Sequence, residues 1–353
     1  MQAEMTSLQR VLTTLGHHEP GRVPLFLLTT MHGARELGIT IKEYFSSADN
    51  VVEGQLRLLA KYKSDCIYSF FHASLEAEAW NGETIFSEDG PPNAGAPVIG
   101  RVDDIMRLEA PHVLDCKGLR MVLDATGKLK KHAGAETPIL GVVMSPFSLP
   151  VMQLGFDRYI DIIYERPDLL ERLLQINEEF CVEWANSQFD AGAAAICYFD
   201  PVTSTSIVPI DISRKYGFPS AARTISRFKG PAAIHFASGR CLPILDDVTR
   251  TGSLAVGVSS EENLKDIKAA CLGRIAIVGN LNAIEMRHWS QSQVENAVKD
   301  AIAKAAPGGG FILSDNHGEI PWQVGDDVLL AVSKAVQRWG QYPLEWVDAY
   351  NGK

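Results

Sequence analysis

Eight short apolar runs, separated by longer stretches of helical periodicity, constrain this chain of 353 residues more than any other feature. They are Val23–Leu28, Cys66–Phe70, Ile139–Val143, Ala195–Phe199, Ala232–Phe236, Leu254–Val258, Ile275–Val278 and Phe311–Leu313. Runs apolar on both faces are what parallel strands covered by helices require. Between them, apolar residues recur at helical spacing over Lys42–Lys63, Arg166–Gln188, Glu262–Cys271 and Gln293–Ala305. Pro167 and Pro307 stand where helices should begin or end. Alternating strand and helix means α/β with a parallel sheet. Eight strands in one chain predict a (β/α)8 TIM barrel, a single domain over 1–353. An insertion, rich in Gly, Pro and charge, falls at about 71–137, between the second and third strands. The other architecture is an open doubly wound sheet, which wants a glycine-rich phosphate turn after an early strand; no GxGxxG appears.

With 46% hydrophobic and 22% charged residues, the chain has the mix of a soluble globule with a sizeable core. Its 33 Lys+Arg against 43 Asp+Glu give a net charge of −10, and no basic run of five occurs, which argues against a nucleic-acid partner. Cys66, Cys116, Cys181, Cys197, Cys241 and Cys271 show no CxxC spacing and read as reduced thiols in a cytoplasm. Met1 to Arg10 has no apolar core of a signal peptide. Residues 137–156 are uncharged and long enough to span a bilayer, but Pro138, Pro146 and Pro150 spoil a spanning helix. The segment reads as a buried strand followed by a pocket-lining loop, so no membrane association is expected.

In such a barrel, chemistry sits at the C-terminal ends of the strands. Four of the nine histidines fall there, His32, His72, His235 and His317, together with Met31, Ser145, Asn280 and several aromatics. Asp200 ends an apolar strand, where a carboxylate is costly unless paired or at a mouth. It reads either as a substrate or proton contact or as a cap on the turn that Pro201 begins. His235 taken alone reads as a core histidine. Asp315, His317 and Glu319 after the last strand change that, because their strand end faces the same mouth. A borderline cation such as Zn²⁺ takes histidine nitrogen and carboxylate oxygen, so His235, His317 and Glu319 form a candidate metal set. Against this, Asp315 and Asn316 could simply make a turn. Glu78 reads as a solvated helix-surface acid. Phe70, Phe71, Trp80, Phe147, Tyr198 and Phe236 are singly core residues, but together suggest a mouth that accepts an apolar or aromatic ligand. Ser145 lacks the GxSxG context of a hydrolase nucleophile.

Several stretches, taken in order, resemble the uroporphyrinogen decarboxylase superfamily. They include RVLTTLGHHEPGRVPLF (10–26), LEAEAWNGETIFSEDGPP (75–92), APVIGRVDDIMRLEAP (96–111), ILGVVMSPFSLPVMQLG (139–155), AGAAAICYFDP (191–201), IHFASGRCLPIL (234–245), VGNLN (278–282) and GGGFILSDNHGEIP (308–321). The resemblance implies a (β/α)8 barrel and two activity branches. The haem-pathway decarboxylase takes a substrate with eight carboxylates and carries an arginine-rich stretch after the first strand. Here the matching TTMHGARELG holds only Arg35, and eight carboxylates need several cations.

The other branch resembles methyltransferases that work with corrinoid proteins. Its thiol-methylating members use zinc held by a His-x-Cys after strand five and a Cys after strand eight. His235 matches the histidine, but Ala237 stands at the cysteine position, SDNHGE holds no cysteine, and Cys241 is misplaced. A site of His235 with His317, and with Glu319 or Glu78, would be harder and would suit polarising an ether oxygen.

The expected activity is therefore O-demethylation. A small methoxylated, aromatic donor gives its methyl group to cob(I)alamin on a partner corrinoid protein. Asp200, His235 and His317 would act in catalysis, and Tyr198, Phe70, Phe147, Met31, His72 and Asn280 would hold substrate. Methylcobamide:thiol methyl transfer, decarboxylation of a smaller acid with Asp200 as charge partner, and ligand binding without turnover are the rivals. Self-association as a homodimer is left open.

Overall fold

The computed structural model describes residues 5–271 and 273–351. All eight apolar runs hold a strand. Eight parallel strands, β1 (Leu25–Phe26), β2 (Ile67–Tyr68), β5 (Ile139–Met144), β6 (Ala195–Phe199), β7 (Ala232–His235), β8 (Ala255–Gly257), β9 (Ala276–Leu281) and β10 (Phe311–Asp315), form one sheet in the order β1-β10-β9-β8-β7-β6-β5-β2. The hairpin strands β3 (Thr84–Ile85) and β4 (Asn93–Ala94) make a small separate sheet. The large sheet is a nearly closed TIM barrel, with helices packed around it.

The remaining seam lies between β1 and β2, and Asp65 bridges it. Its backbone N–H donates to the Leu25 carbonyl at 2.6 Å, and its carboxylate accepts the Leu25 N–H at 2.8 Å. The same fully buried carboxylate accepts from Arg10 at 2.8 Å, Arg22 at 2.8 and 3.0 Å, and Ser7 at 3.0 Å. This network sits at the N-terminal end of the strands. Helix Ser7–Leu15 lies there too, begun by a capping box in which Thr6 and Gln9 exchange hydrogen bonds.

The predicted helices form with modest shifts. Lys42–Lys63 becomes a short turn, Ile41–Tyr44, and the helix Ala48–Tyr62, whose buried Val51, Val52, Gln55, Leu58 and Tyr62 follow the 3.6-residue period. Gln55 turns inward and donates to the Thr29 carbonyl at 2.8 Å, steadying the end of β1. The helix Pro167–Ala191 starts with Pro167 in its first turn and stops at Gly192, whose φ of 117° suits a residue without a side chain. After β5 the expected loop is instead a tight turn and the helix Pro150–Leu154, because a proline is well tolerated at a helix start. Within 71–137, the helix Lys117–Ala133 packs on the neighbouring helices of the ring, so only the stretch before it is added to a plain barrel unit. Among the described residues no helix is long and apolar enough to cross a membrane.

Candidate functional site at the barrel mouth

Strand register decides which side chains enter the barrel. Val142, Cys197, Ala233, Ala255 and Ala276 pair in one row, and two residues on, Met144, Phe199, His235, Gly257 and Val278 pair in the next. Side chains alternate faces along a strand, so their neighbours Tyr198 and Ile234 point out to the helices. Tyr198 is accordingly fully buried and packs toward Phe228, with ring centroids 6.5 Å apart. The expectation that Tyr198 holds substrate is corrected by this parity: the inward aromatic of β6 is Phe199.

Phe199 stacks on the His235 ring, with centroids 5.0 Å apart and planes within 2°. Two glycines make room for the stack. A Cβ on Gly257 would come within 2.3 Å of the His235 ring, and one on Gly318, which has a φ of 87°, within 2.1 Å of Phe199. His235 is 3% exposed. Burial, with His317 adding to it, lowers its pKa to about 4, so the ring is neutral at pH 7. The Ala237 N–H donates to its Nδ1 at 3.0 Å, which leaves the ring proton on Nε2, and Nε2 is buried without a protein partner. Ala237 and Ser238 hold left-handed backbone, with φ of 47° and 72°. This is a strained turn of the kind found at active sites.

The end of β10 supplies two acids. Asp315 Oδ2 accepts the backbone N–H groups of His317 and Gly318, each at 3.0 Å, while Oδ1 is buried and unpaired. Burial pushes its carboxyl up to about 7. Burial first, and then the charge of Asp315, push Glu319 up to about 8; Glu319 accepts a hydrogen bond from the Thr30 hydroxyl. His317, half-buried and with its pKa lowered by burial, points Nδ1 at Asn316 Oδ1, 2.6 Å away. The amide oxygen accepts, so His317 Nε2 carries the lone pair. Asn316 also donates to Ser260 at 2.9 Å, and its carbonyl accepts the Ser238 N–H at 2.8 Å, tying the ends of β7, β8 and β10 together.

Asp200 lies just beyond β6, 1% exposed, and accepts from Ser145 at 2.6 Å and Ser148 at 2.9 Å. Burial raises its pKa, against the hydrogen bonds that lower it. It thus serves as a hydrogen-bonded anchor between β5 and β6, and Ser145 is its donor.

Phe70 and Asn280 follow the inward parity of their strands and remain half-buried; the Asn280 side chain donates to the Ser259 carbonyl at 2.9 Å. Three expected substrate contacts lie elsewhere. Phe147 is fully buried in a separate core with Tyr159, because the chain after β5 turns away from the mouth into its helix. Met31 packs into the main core at 1% exposure. His72 is buried between Phe45 and Phe86, with Nδ1 2.7 Å from Ser74.

Two groups, Tyr68 and Glu76, escaped the sequence reading, and His32, read there only as a strand-end histidine, proves wholly buried. Tyr68 faces inward with its hydroxyl buried beside the Cys197 thiol, without a nitrogen or oxygen partner, and near Glu319 and Asp315. His32 has both ring nitrogens buried without partners, beside Trp322. Glu76, rather than Glu78, is the buried acid after β2; it accepts the Met144 N–H at 2.9 Å, and burial pushes it up to about 8. A strand-interior tyrosine and a glutamate one turn into a helix carry no sequence signal of their own.

The candidate zinc set does not fit the geometry. Among the described residues no three His, Cys, Asp or Glu side chains gather as ligands. The Ala237 N–H occupies His235 Nδ1 and leaves Nε2 protonated, so that ring offers no lone pair to a metal.

Cations are equally scarce. Arg35 lies with its guanidinium 4.4 Å from the Trp322 ring and donates to the carbonyls of Trp322 and Val324. Arg240, at the rim after β7, pairs with Glu261 at 2.9 Å.

Proteins similar to this chain include the uroporphyrinogen decarboxylases of Ralstonia pickettii and Bordetella petrii. The first is 27% identical over 281 residues (75% of this chain, 74% of the relative), the second 26% over 283 residues (76% and 77%). Among solved structures, a methyltransferase from Methanosarcina mazei superposes with a TM-score of 0.86 at 20% identity, covering 95% of this chain and 99% of its own. The family model for uroporphyrinogen decarboxylase (URO-D) matches residues 6–339, and the chain belongs to that family.

Proposed function

We propose that the protein is a methyltransferase that demethylates a small, uncharged methoxylated compound, with an aromatic ring, and passes the methyl group to cob(I)alamin on a partner corrinoid protein. One observation carries the reading. Among the described residues, the buried polar atoms left without nitrogen or oxygen partners include His235 Nε2, Asp315 Oδ1 and the Tyr68 hydroxyl, on β7, β10 and β2. All three are hydrogen-bond donors in the neutral state that burial favours, and Arg35 and Arg240 are engaged elsewhere. Such a set seeks a neutral acceptor oxygen, as in an ether, and suits a multiply charged carboxylate poorly. The same fold serves the Methanosarcina methyltransferase.

The reduced corrinoid, a substrate carried by the partner, supplies the nucleophile strong enough to take a methyl cation. The C–O bond breaks with its electron pair remaining on oxygen. Asp315 then gives its Oδ1 proton to that oxygen, and the donor leaves as a phenol. The charge left on Asp315 falls against the N–H groups of His317 and Gly318, already in place at Oδ2. His235 Nε2–H orients the ether oxygen, and Phe199 and Phe70 offer ring faces to the aromatic part.

The test is to mix the protein with reduced corrinoid protein and a panel of methoxyarenes and to follow the cobalt spectrum. Conversion of the Co(I) spectrum to that of methyl-cobalt is expected. If no O-methyl donor produces it, and CO₂ is instead released from an aromatic or pyrrole acid without corrinoid, the decarboxylase reading replaces this one.

A further inference from the structure

The row beneath His235 is nearly all small. Cys197, Ala233, Ala255 and Ala276 pair side by side on four adjacent strands. Barrel interiors are normally filled by layers of large branched side chains. Here the missing bulk leaves a cavity of about 150 Å³ in the lower half of the barrel. It reaches from the His235 ring down to helix Ser7–Leu15. Ala195 and Ala233, though inside the barrel, keep accessible surface, and the rim residues Leu12 and Leu254 are 58% and 49% exposed. The space therefore opens at the N-terminal face, away from the mouth. Among the described residues its wall is almost wholly apolar and carries no charged side chain. One polar side chain bounds it from above: His235, buried and with Nε2 unpartnered.

We propose that this lower cavity is a second binding site, for one small uncharged apolar molecule of about the size of benzene. Size and lining together select the class. A dry apolar cavity of roughly 150 Å³ admits benzene or xenon, whereas water needs polar partners that this wall lacks. An anion or cation would lose its hydration with nothing to replace it. The inference does not rest on the methyl-transfer reading: the two share only the His235 ring, and the cavity's floor, side walls and entrance belong to the N-terminal half of the barrel.

The experiment takes the full chain and the probes benzene and xenon. Thermal unfolding with saturating benzene should raise the midpoint by roughly 1–3 °C, as a ligand of the folded state does in a chain of this size. Ala233→Leu, which fills the centre of the cavity, should abolish the rise, as should the milder Ala255→Val if the larger change impairs folding. A crystal of the unaltered protein under xenon should show a xenon peak between Ala195, Ala233 and Ala255. The proposal is overturned if neither benzene nor xenon has an effect on the unaltered protein. It is equally overturned if the rise persists in a folded variant with the cavity filled, which would place benzene elsewhere.

Discussion

The two ends of the barrel both bury carboxylates, and they treat them oppositely. At the N-terminal end, Asp65 is fully buried and every lone pair is spoken for: two arginines, a serine and the Leu25 amide converge on it. At the C-terminal end, Asp315 is as deeply buried but has one oxygen without a partner, and no arginine approaches. A satisfied buried charge holds a structure together, and breaking it exposes its partners' charges. An unsatisfied one is a standing cost that persists where a ligand completes it. Stability is thus concentrated at the foot of the barrel, and the proposed chemistry at its mouth, in keeping with the division of labour of this fold.

The strongest way to break that comparison is at the foot. Asp65→Ala leaves Arg10 and Arg22 without their counter-charge and opens the β1–β2 seam, and should cost about 3–5 kcal/mol, read from denaturant unfolding. A loss below about 1 kcal/mol would mean that solvent already shares the network, and the contrast between the two ends would disappear.

At the mouth the corresponding change should act in the reverse sense. Asp315→Asn removes the proton donor and should lower the rate of methyl transfer by about 10²–10³-fold, yet it should not destabilise the fold. Burial raises the Asp315 carboxyl from the ordinary 3.8 to about 7 in the folded protein. Between those values the folded protein retains a proton that the unfolded chain has released, so stability falls as pH rises through this window. Glu319, raised to about 8, acts in the same direction. His235, lowered to about 4, acts oppositely, its contribution being lost as pH falls from 6.5. Asparagine has no proton to lose, so the difference between Asp315→Asn and the parent protein should grow in the variant's favour from pH 4 to pH 7. Unfolding curves at several pH values measure it. Parallel curves would show that Asp315 is ionised throughout, and its role as acid would fall with them.

How much of this contrast could be read from the residues alone depends on which physical signal each feature leaves. The strands were legible because eight apolar runs with helical spacers have few other solutions. The acids after β10 were legible because DNHGE interrupts an apolar run. Inward and outward parity was not, since strands buried on both faces carry no alternation, and Tyr198 and Phe199 are equally apolar in sequence. The Asp65 network joins residues 43 and 55 positions apart, and nothing local marks it.

A smaller effect tests the packing of the mouth. Gly257→Ala pushes a methyl group against the His235 ring, which Phe199 prevents from moving aside. Overpacking of this kind typically costs about 1–3 kcal/mol. The change should also lower activity more than stability alone explains, because the displaced ring no longer presents Nε2. The His235 ring resonances, followed by NMR, should shift; unchanged resonances with unchanged activity would show that the stack is loose.

The smallest expected effect isolates backbone strain from chemistry. Ala237 is held left-handed at a φ of 47°, and its N–H is the group that fixes the His235 tautomer. Glycine adopts this backbone without the Cβ clash, so Ala237→Gly should relieve about 1 kcal/mol, offset in part by the greater freedom glycine has when unfolded. The net change in stability should lie within about 0.5 kcal/mol of zero. The amide remains, so the His235 proton should stay on Nε2 and activity should be unchanged. Loss of activity in a variant of normal stability would mean that the Ala237 methyl group, rather than its amide, shapes the mouth, and that the strained turn is part of the binding surface as well as its support.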